Sequence, residues 1–78
     1  MSEPLYLRSV VPTRNRFRAF TIVESRSLWG EPALLVSWGR LGSRQRHRVE
    51  TFPDACALER RRVTLLKTRL RHGYERVA

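Results

Sequence analysis

The fold of this chain is decided by nine residues near its middle, Leu34-Leu35-Val36-Ser37-Trp38-Gly39-Arg40-Leu41-Gly42. An apolar run ends here in an aromatic ring, a glycine and an arginine, and a second glycine follows closely. This pattern is typical of a strand that enters a hairpin turn. Because side chains alternate along an extended strand, Trp38 and Arg40 are predicted to project from the same side. A stacking ring and a bidentate cation would then lie together at a strand end.

Further runs of apolar or alternating residues on both sides of this stretch predict more strands. The predicted strands are 5–11, 15–24, 33–40 and 44–52, joined by a turn at 12–15, a loop at 25–32 and a turn at 41–43. Strands joined in this way predict an antiparallel up-and-down sheet. The first and third turns of such a sheet lie at the same end.

After residue 52 the hydrophobic period changes, which predicts one long helix from about Pro53 to His72. Pro53 and Asp54 suit its first turn, and Gly73 is a natural residue to follow its last turn. The helix is amphipathic, with Cys56 among the residues of its apolar side and the arginines predicted to face solvent. Residues 74–77 are candidates for a short last strand.

The predicted fold class is therefore α+β, in a single domain that spans residues 1–78. It consists of an antiparallel sheet of four to five strands with one long C-terminal amphipathic helix packed on one face. A chain of 78 residues buries only roughly 60% of its unfolded surface, so its core is expected to be thin.

Charge is the most informative property of the composition. The chain has 16 basic and seven acidic residues, a net charge of +9, and every basic residue except Lys67 is arginine. Arginine offers planar, bidentate donors to phosphate and stacks on bases. A small, strongly basic domain indicates a polyanion partner, most often nucleic acid.

Other classes of protein receive little support from the sequence. No apolar run approaches the roughly 20 residues of a membrane span, and residues 1–4 do not resemble a secretory signal. The single Cys56 with His47 and His72 cannot supply a typical zinc site, and no set of acids or histidines forms a catalytic constellation. We therefore expect a non-enzymatic protein without a cofactor, located in the cytoplasm, or on the nucleoid if bacterial.

The arginines at the start of the second strand and around the third turn are predicted to meet at one end of the sheet. The candidate nucleic-acid-binding residues at that end are Trp38, Arg40, Asn15, Arg16, Arg44 and Arg46. Trp38 is either a stacking surface for a base or sugar or a core residue at a strand end. Trp29 has no basic neighbours, so a structural role is predicted for it.

Several segments together resemble the WGR domain family over nearly the whole chain. They are Asn15-Arg16-Phe17, Leu28-Trp29-Gly30-Glu31, Trp38-Gly39-Arg40 with Leu41-Gly42, Phe52-Pro53 with the helix, and Gly73-Tyr74. The resemblance implies an antiparallel sheet with one helix packed on it. In poly(ADP-ribose) polymerases this domain binds DNA breaks, its tryptophan packing on the terminal sugar while polar and basic groups hold the 5′ phosphate.

Carried over by position, the resemblance implies that Trp38 stacks and that Arg40 contacts a phosphate or a partner. It places Asn15 and Arg16 near the phosphate, and it does not imply polymerase activity, which belongs to a separate catalytic domain. Three functions remain open at this point. The chain binds DNA ends or nicks through a 5′ phosphate without reading sequence, or binds RNA, or serves as an adaptor that offers its basic surface to an acidic protein.

Overall fold

A computed structural model describes residues 4–77 and confirms the α+β class. Residues 1–3 and 78, which the predicted domain includes, lie outside the described residues. The strands are β1 (Leu5–Val11), β2 (Arg16–Arg26), β3 (Pro32–Arg40), β4 (Arg46–Thr51) and β5 (Glu75–Arg76), and the helix is α1 (Ala55–Arg71). A single 3-10 turn, Pro12–Arg14, connects β1 to β2.

The five strands form one antiparallel sheet in the order β4-β3-β2-β1-β5. The first four follow one another as the predicted up-and-down meander. The predicted last strand is present as the two residues of β5, which pair with β1 through Leu7 and Arg76. The β1–β2 and β3–β4 connections therefore lie at one end of the sheet, and the β2–β3 loop lies at the other end.

The core lies between one face of the sheet and α1. Alternate residues of the three central strands are buried against Leu58 and Leu65 of the helix and against Tyr74, and they are Leu5, Leu7, Phe20, Ile22, Leu34 and Val36. Burial of each such side chain stabilises the fold by about 1.5–3 kcal/mol. The Phe20 and Tyr74 rings meet edge to face with centroids 6.2 Å apart.

The ends of α1 agree with their sequence signals to within two residues. The Asp54 carboxylate accepts a 2.8 Å hydrogen bond from the Ala57 N–H, which satisfies a backbone donor that the first turn leaves without a partner. At the other end, Gly73 takes a φ of +87° and so ends the helix in a conformation that glycine adopts without strain.

The predicted faces of the helix are wrong in two respects. Cys56 is exposed rather than part of the core, because the buried row of the helix runs through Leu58 and Leu65. Arg61 and Arg69 are half-buried rather than fully solvated. The guanidinium of Arg69 lies 4.3 Å from the centroid of the Phe20 ring. The methylene groups of an arginine can pack on apolar surface while its guanidinium makes a cation–π contact with an aromatic ring.

Trp29 is 84% exposed and Leu28 is 95% exposed, so the structural role predicted for Trp29 is wrong. The turn that carries both side chains is held by its own hydrogen bonds. The Ser27 hydroxyl accepts from the Trp29 and Glu31 N–H groups at 3.2 Å, and Arg26 donates to the Gly30 carbonyl at 3.0 Å. These polar contacts fix the turn without burying the indole.

The strand β4 begins at Arg46 rather than at residue 44, so Arg44 belongs to the connection between β3 and β4. Within residues 4–77, no helix combines the length and the apolar character that crossing a membrane requires.

Stability measurements should separate the two kinds of aromatic residue. Phe20 is 1% exposed, so Phe20→Ala is expected to lower the free energy of unfolding by about 3–5 kcal/mol. Trp29→Ala is expected to change it by no more than about 0.5 kcal/mol, because the indole packs on little. Urea unfolding followed by circular dichroism measures both, and a large loss of stability in Trp29→Ala would contradict the exposed placement.

Candidate nucleic-acid interface

The two hairpin tips meet through Arg40 and Asn15. The Arg40 guanidinium donates to the Asn15 side-chain oxygen at 3.2 Å and to the Asn15 backbone carbonyl at 3.4 Å. Asn15 has a φ of +51°, a left-handed conformation that asparagine tolerates better than most residues. The predicted meeting of the basic tips, which rested on strand order alone, is thus confirmed by direct contacts.

Pairing between β2 and β3 continues past the end of the strands and holds the tips together. The Leu41 N–H donates to the Phe17 carbonyl at 2.9 Å, and the Arg40 guanidinium lies 5.4 Å from the centroid of the Phe17 ring. A cleft of about 410 Å³ opens between the tips, and its lining residues are Arg14, Asn15, Arg16, Phe17, Arg18 and Arg40. Four of these six side chains are arginines, so the cleft is strongly positive.

Arg14 and Arg18 are the cationic residues of this cleft that the sequence-based set of site residues omitted. Both are exposed, and within residues 4–77 neither side chain makes a hydrogen bond or an ion pair. Arg18 pairs directly with Arg40 across β2 and β3. The signal that could have found them was present, because both stand in the same arginine cluster as Arg16.

Arg16 lines the cleft, but its guanidinium is used inside the protein. It donates to the Ser9 hydroxyl at 2.8 Å and to the His72 carbonyl at 3.0 Å, and it lies 5.6 Å from the centroid of the Tyr74 ring. Through these contacts Arg16 joins β2 to the C-terminal end of α1, where a cation suits the helix dipole.

Trp38 is half-buried, which lies between the two possibilities left open by the sequence. It packs against the edge of the core, and on the same face of the sheet it stands opposite Phe20 on one side and Arg46 on the other. The guanidinium of Arg48 lies 5.5 Å from the centroid of its ring. Trp38 is thus a ring bordered by arginines rather than a fully open platform.

Arg48 is held in place by a chain of ion pairs that ends on the helix. Its Nη2 lies 2.9 Å from Glu50 Oε2, and Arg61 of α1 donates to the two Glu50 oxygens at 2.9 and 3.3 Å. The hydrogen bonds from Arg61, together with the charges of Arg61 and Arg48, outweigh partial burial and hold the pKa of Glu50 below its ordinary value of 4.5.

Gly39 and Gln45 shape the β3–β4 tip. The Gln45 amide donates to the Arg40 carbonyl at 3.0 Å and to the Ser43 carbonyl at 3.2 Å. A Cβ atom at Gly39 would lie only 3.3 Å from the Gln45 amide group, so glycine leaves the space that this amide occupies. Sequence reasoning gave Gln45 no role, since nothing in the local pattern shows that it folds back over the turn.

Arg44 and Arg46 are exposed, and neither side chain has a hydrogen bond or ion pair in the part of the chain that the structure describes. Together with Arg14, Arg18 and Arg40 they make this end of the molecule strongly cationic. At the opposite end, a cleft of about 520 Å³ is lined by Glu24 and Glu59 with a single arginine. Positive charge is therefore concentrated at the tips that Arg40 joins.

A serine and a histidine form a polar contact between β3 and β4. Ser37 Oγ and His47 Nδ1 lie 3.0 Å apart on neighbouring strands, as expected for a cross-strand pair. Within residues 4–77, no three histidine, cysteine or acidic side chains come close enough together to hold a metal ion.

Comparison with known proteins agrees with this description. The sequence pattern of the WGR domain matches residues 3–78. The uncharacterized protein y4dW of Sinorhizobium fredii is 30% identical over 76 residues, which cover 95% of this chain and 37% of that protein. The chain thus spans little more than a third of the length of that relative. No solved structure matches the chain.

The stability of the protein should fall in acid partly through Glu50. Because the folded state lowers the pKa of this carboxyl, its contribution is present above the ordinary value of 4.5 and is lost as the pH falls through the folded value. The charged groups facing it are Arg61 and Arg48. The stability difference between wild type and Glu50→Gln, measured by urea unfolding, should therefore shrink below pH 4.5. A difference that does not change with pH would contradict the ion-pair chain.

Proposed function

The chain belongs to the WGR domain family, and we propose that it is a non-catalytic nucleic-acid-binding module that holds DNA ends or nicks by the 5′ phosphate. The WGR domain is a binding domain and is compatible with nucleic-acid binding in general. The observation that carries the finer proposal is the cleft between the two tips, lined by four arginines, with Trp38 two residues before Arg40 on the same strand. A terminal phosphate and the sugar next to it require these two neighbouring features.

Each residue of the interface receives a role from its contacts. Arg14 and Arg18 have donors free for a phosphate, and Arg40 contributes N–H groups from a guanidinium already fixed by Asn15. Trp38 lies two residues along the strand from Arg40, roughly 7 Å away, a separation suited to a sugar beside its phosphate. Arg44 and Arg46 extend the positive surface along the adjoining backbone.

Arg16 contributes to the interface in a different way from the other arginines of the cleft. Its charge adds to the field of the cleft, while its hydrogen bonds to Ser9 and His72 keep the β1–β2 tip seated against the helix. Phosphate and sugar contacts position a protein on nucleic acid without carrying sequence information. The proposed binding is therefore independent of sequence and sensitive to salt. For each phosphate neutralised, the logarithm of the binding constant should fall by about 0.9 per unit rise in the logarithm of the salt concentration.

Binding to nicked duplexes with and without a 5′ phosphate tests the proposal. Trp38→Ala is expected to weaken binding to the phosphorylated nick by about 5- to 150-fold, since stacking on an aromatic ring contributes about 1–3 kcal/mol. Arg40→Ala should weaken binding and also reduce the preference for the 5′ phosphate. Fluorescence anisotropy at fixed low salt measures both effects.

Two substitutions serve as matched controls. Trp29→Ala removes an exposed indole at the opposite end of the molecule, and Arg60→Ala removes an exposed cation from the helix. Neither should alter the preference for a phosphorylated nick.

Equal affinity of wild type, Trp38→Ala and Arg40→Ala for both nicks would refute end binding. Equal competition by RNA would favour RNA binding, and no binding to either nucleic acid would favour an acidic protein partner.

Substitutions of Arg16 and Arg18 should affect different properties, the first mainly stability and the second mainly DNA binding. Arg16→Gln is expected to lower the free energy of unfolding by about 1–3 kcal/mol, because it leaves the Ser9 and His72 contacts unmade. Arg18→Gln should leave stability nearly unchanged and weaken binding to the phosphorylated nick. Thermal unfolding and the nicked-DNA titration, performed on both variants, measure this division. The reverse pattern would contradict the assigned roles.

A further inference from the structure

We propose that Arg48 is a second phosphate-binding residue of this interface and that Glu50 is the residue that positions it. This inference rests on the proposed function, because it concerns the same site. Arg48 was not among the site residues predicted from the sequence, and in β4 it belongs to a run of basic residues with no distinguishing local pattern. Its placement on the Trp38 ring distinguishes it from the others.

The geometry gives Arg48 free donors beside the stacking ring. Its guanidinium lies 5.5 Å from the centroid of the Trp38 ring, and its side chain is 50% exposed. A guanidinium carries five N–H donors, and only the Nη2 nitrogen is engaged with Glu50. Donors on the remaining nitrogens are available to a phosphate, and the cation keeps its contact with the ring while it binds.

Glu50 can position Arg48 because Glu50 is itself held in place. Its two carboxylate oxygens accept from Arg61 Nε and Nη2 at 2.9 and 3.3 Å, a bidentate arrangement that fixes the plane of the carboxylate. Arg61 belongs to α1, which is packed against the sheet through Leu58 and Leu65. The helix thereby sets the position of a cation on β4 by way of one half-buried acid.

Whether removal of the Glu50 charge weakens or strengthens DNA binding distinguishes a positioning role of Glu50 from a purely electrostatic one. Glu50 is a negative charge close to a surface that attracts a polyanion, so by electrostatics alone its removal should strengthen binding. If Glu50 holds Arg48 over Trp38, its removal should weaken binding even though the net charge rises. Glu59 provides the comparison, because it too is an acid paired with an arginine, Arg62 at 3.3 Å, but it lies on the helix.

The experiment compares Glu50→Gln, Glu59→Gln and Arg48→Gln in binding to the nicked duplex with a 5′ phosphate. Glu50→Gln is expected to weaken binding about 5-fold or more, and Glu59→Gln to leave it unchanged or slightly tighter. The effects of Glu50→Gln and Arg48→Gln should not add in the double variant, since both disturb one contact. Binding by Glu50→Gln as tight as, or tighter than, that of wild type would overturn the inference.

Tryptophan fluorescence gives a second reading that does not depend on DNA. In a Trp29→Phe background Trp38 is the sole tryptophan, and Glu50→Gln should change its emission and its quenching by iodide, whereas Glu59→Gln should change neither. Weaker binding by Glu50→Gln without any change in the fluorescence of Trp38 would overturn the role of Glu50 in holding Arg48 over the ring.

If wild type fails to bind the phosphorylated nick, the proposed function fails. If wild type binds and Glu50→Gln binds equally well, only the role of Arg48 and Glu50 fails.

Discussion

The contact between Arg40 and Asn15 is the interaction on which the candidate interface depends. It exists because four strands follow one another in antiparallel order, so that the first and third connections share an end of the sheet. Neither tip alone offers more than a few exposed cations. Joined by Arg40, they form a cleft with Trp38 close by on the strand that carries Arg40. Changes to strand order or to the ends of β2 and β3 would therefore separate groups that the binding proposal needs together.

Net charge cannot distinguish two kinds of arginine that this chain contains. Arginines of the first kind make contacts within the protein. Arg16 joins β2 to the end of α1, Arg61 donates to Glu50, and Arg69 lies against the Phe20 ring. Arginines of the second kind lie at the two tips, and their side chains make no hydrogen bond or ion pair among residues 4–77. They are Arg14, Arg18, Arg44 and Arg46. The overall charge of +9 thus overstates the surface available to a polyanion, while its concentration at one end makes that surface stronger locally.

Much of the fold could be predicted because each element carries its own local signal. The change of hydrophobic period at residue 52, Asp54 at the start of the helix and Gly73 at its end located α1 to within two residues. The contacts of single arginines could not be predicted. The inward role of Arg16 depends on Ser9 of the neighbouring strand and on His72, which is far from it in sequence. The exposure of Trp29 depends on hydrogen bonds that stabilise its turn without packing the ring.

The measurement that tests the composite interface most directly is a titration of isotope-labelled protein with a nicked duplex bearing a 5′ phosphate, followed by amide chemical shifts. The proposal predicts that the largest shifts lie in two separate segments, residues 14–18 and 38–48. It predicts small shifts in the β2–β3 loop, residues 27–31, which carries the exposed Trp29. Shifts confined to the outer face of α1, or spread evenly over every arginine, would contradict a site built from two joined tips.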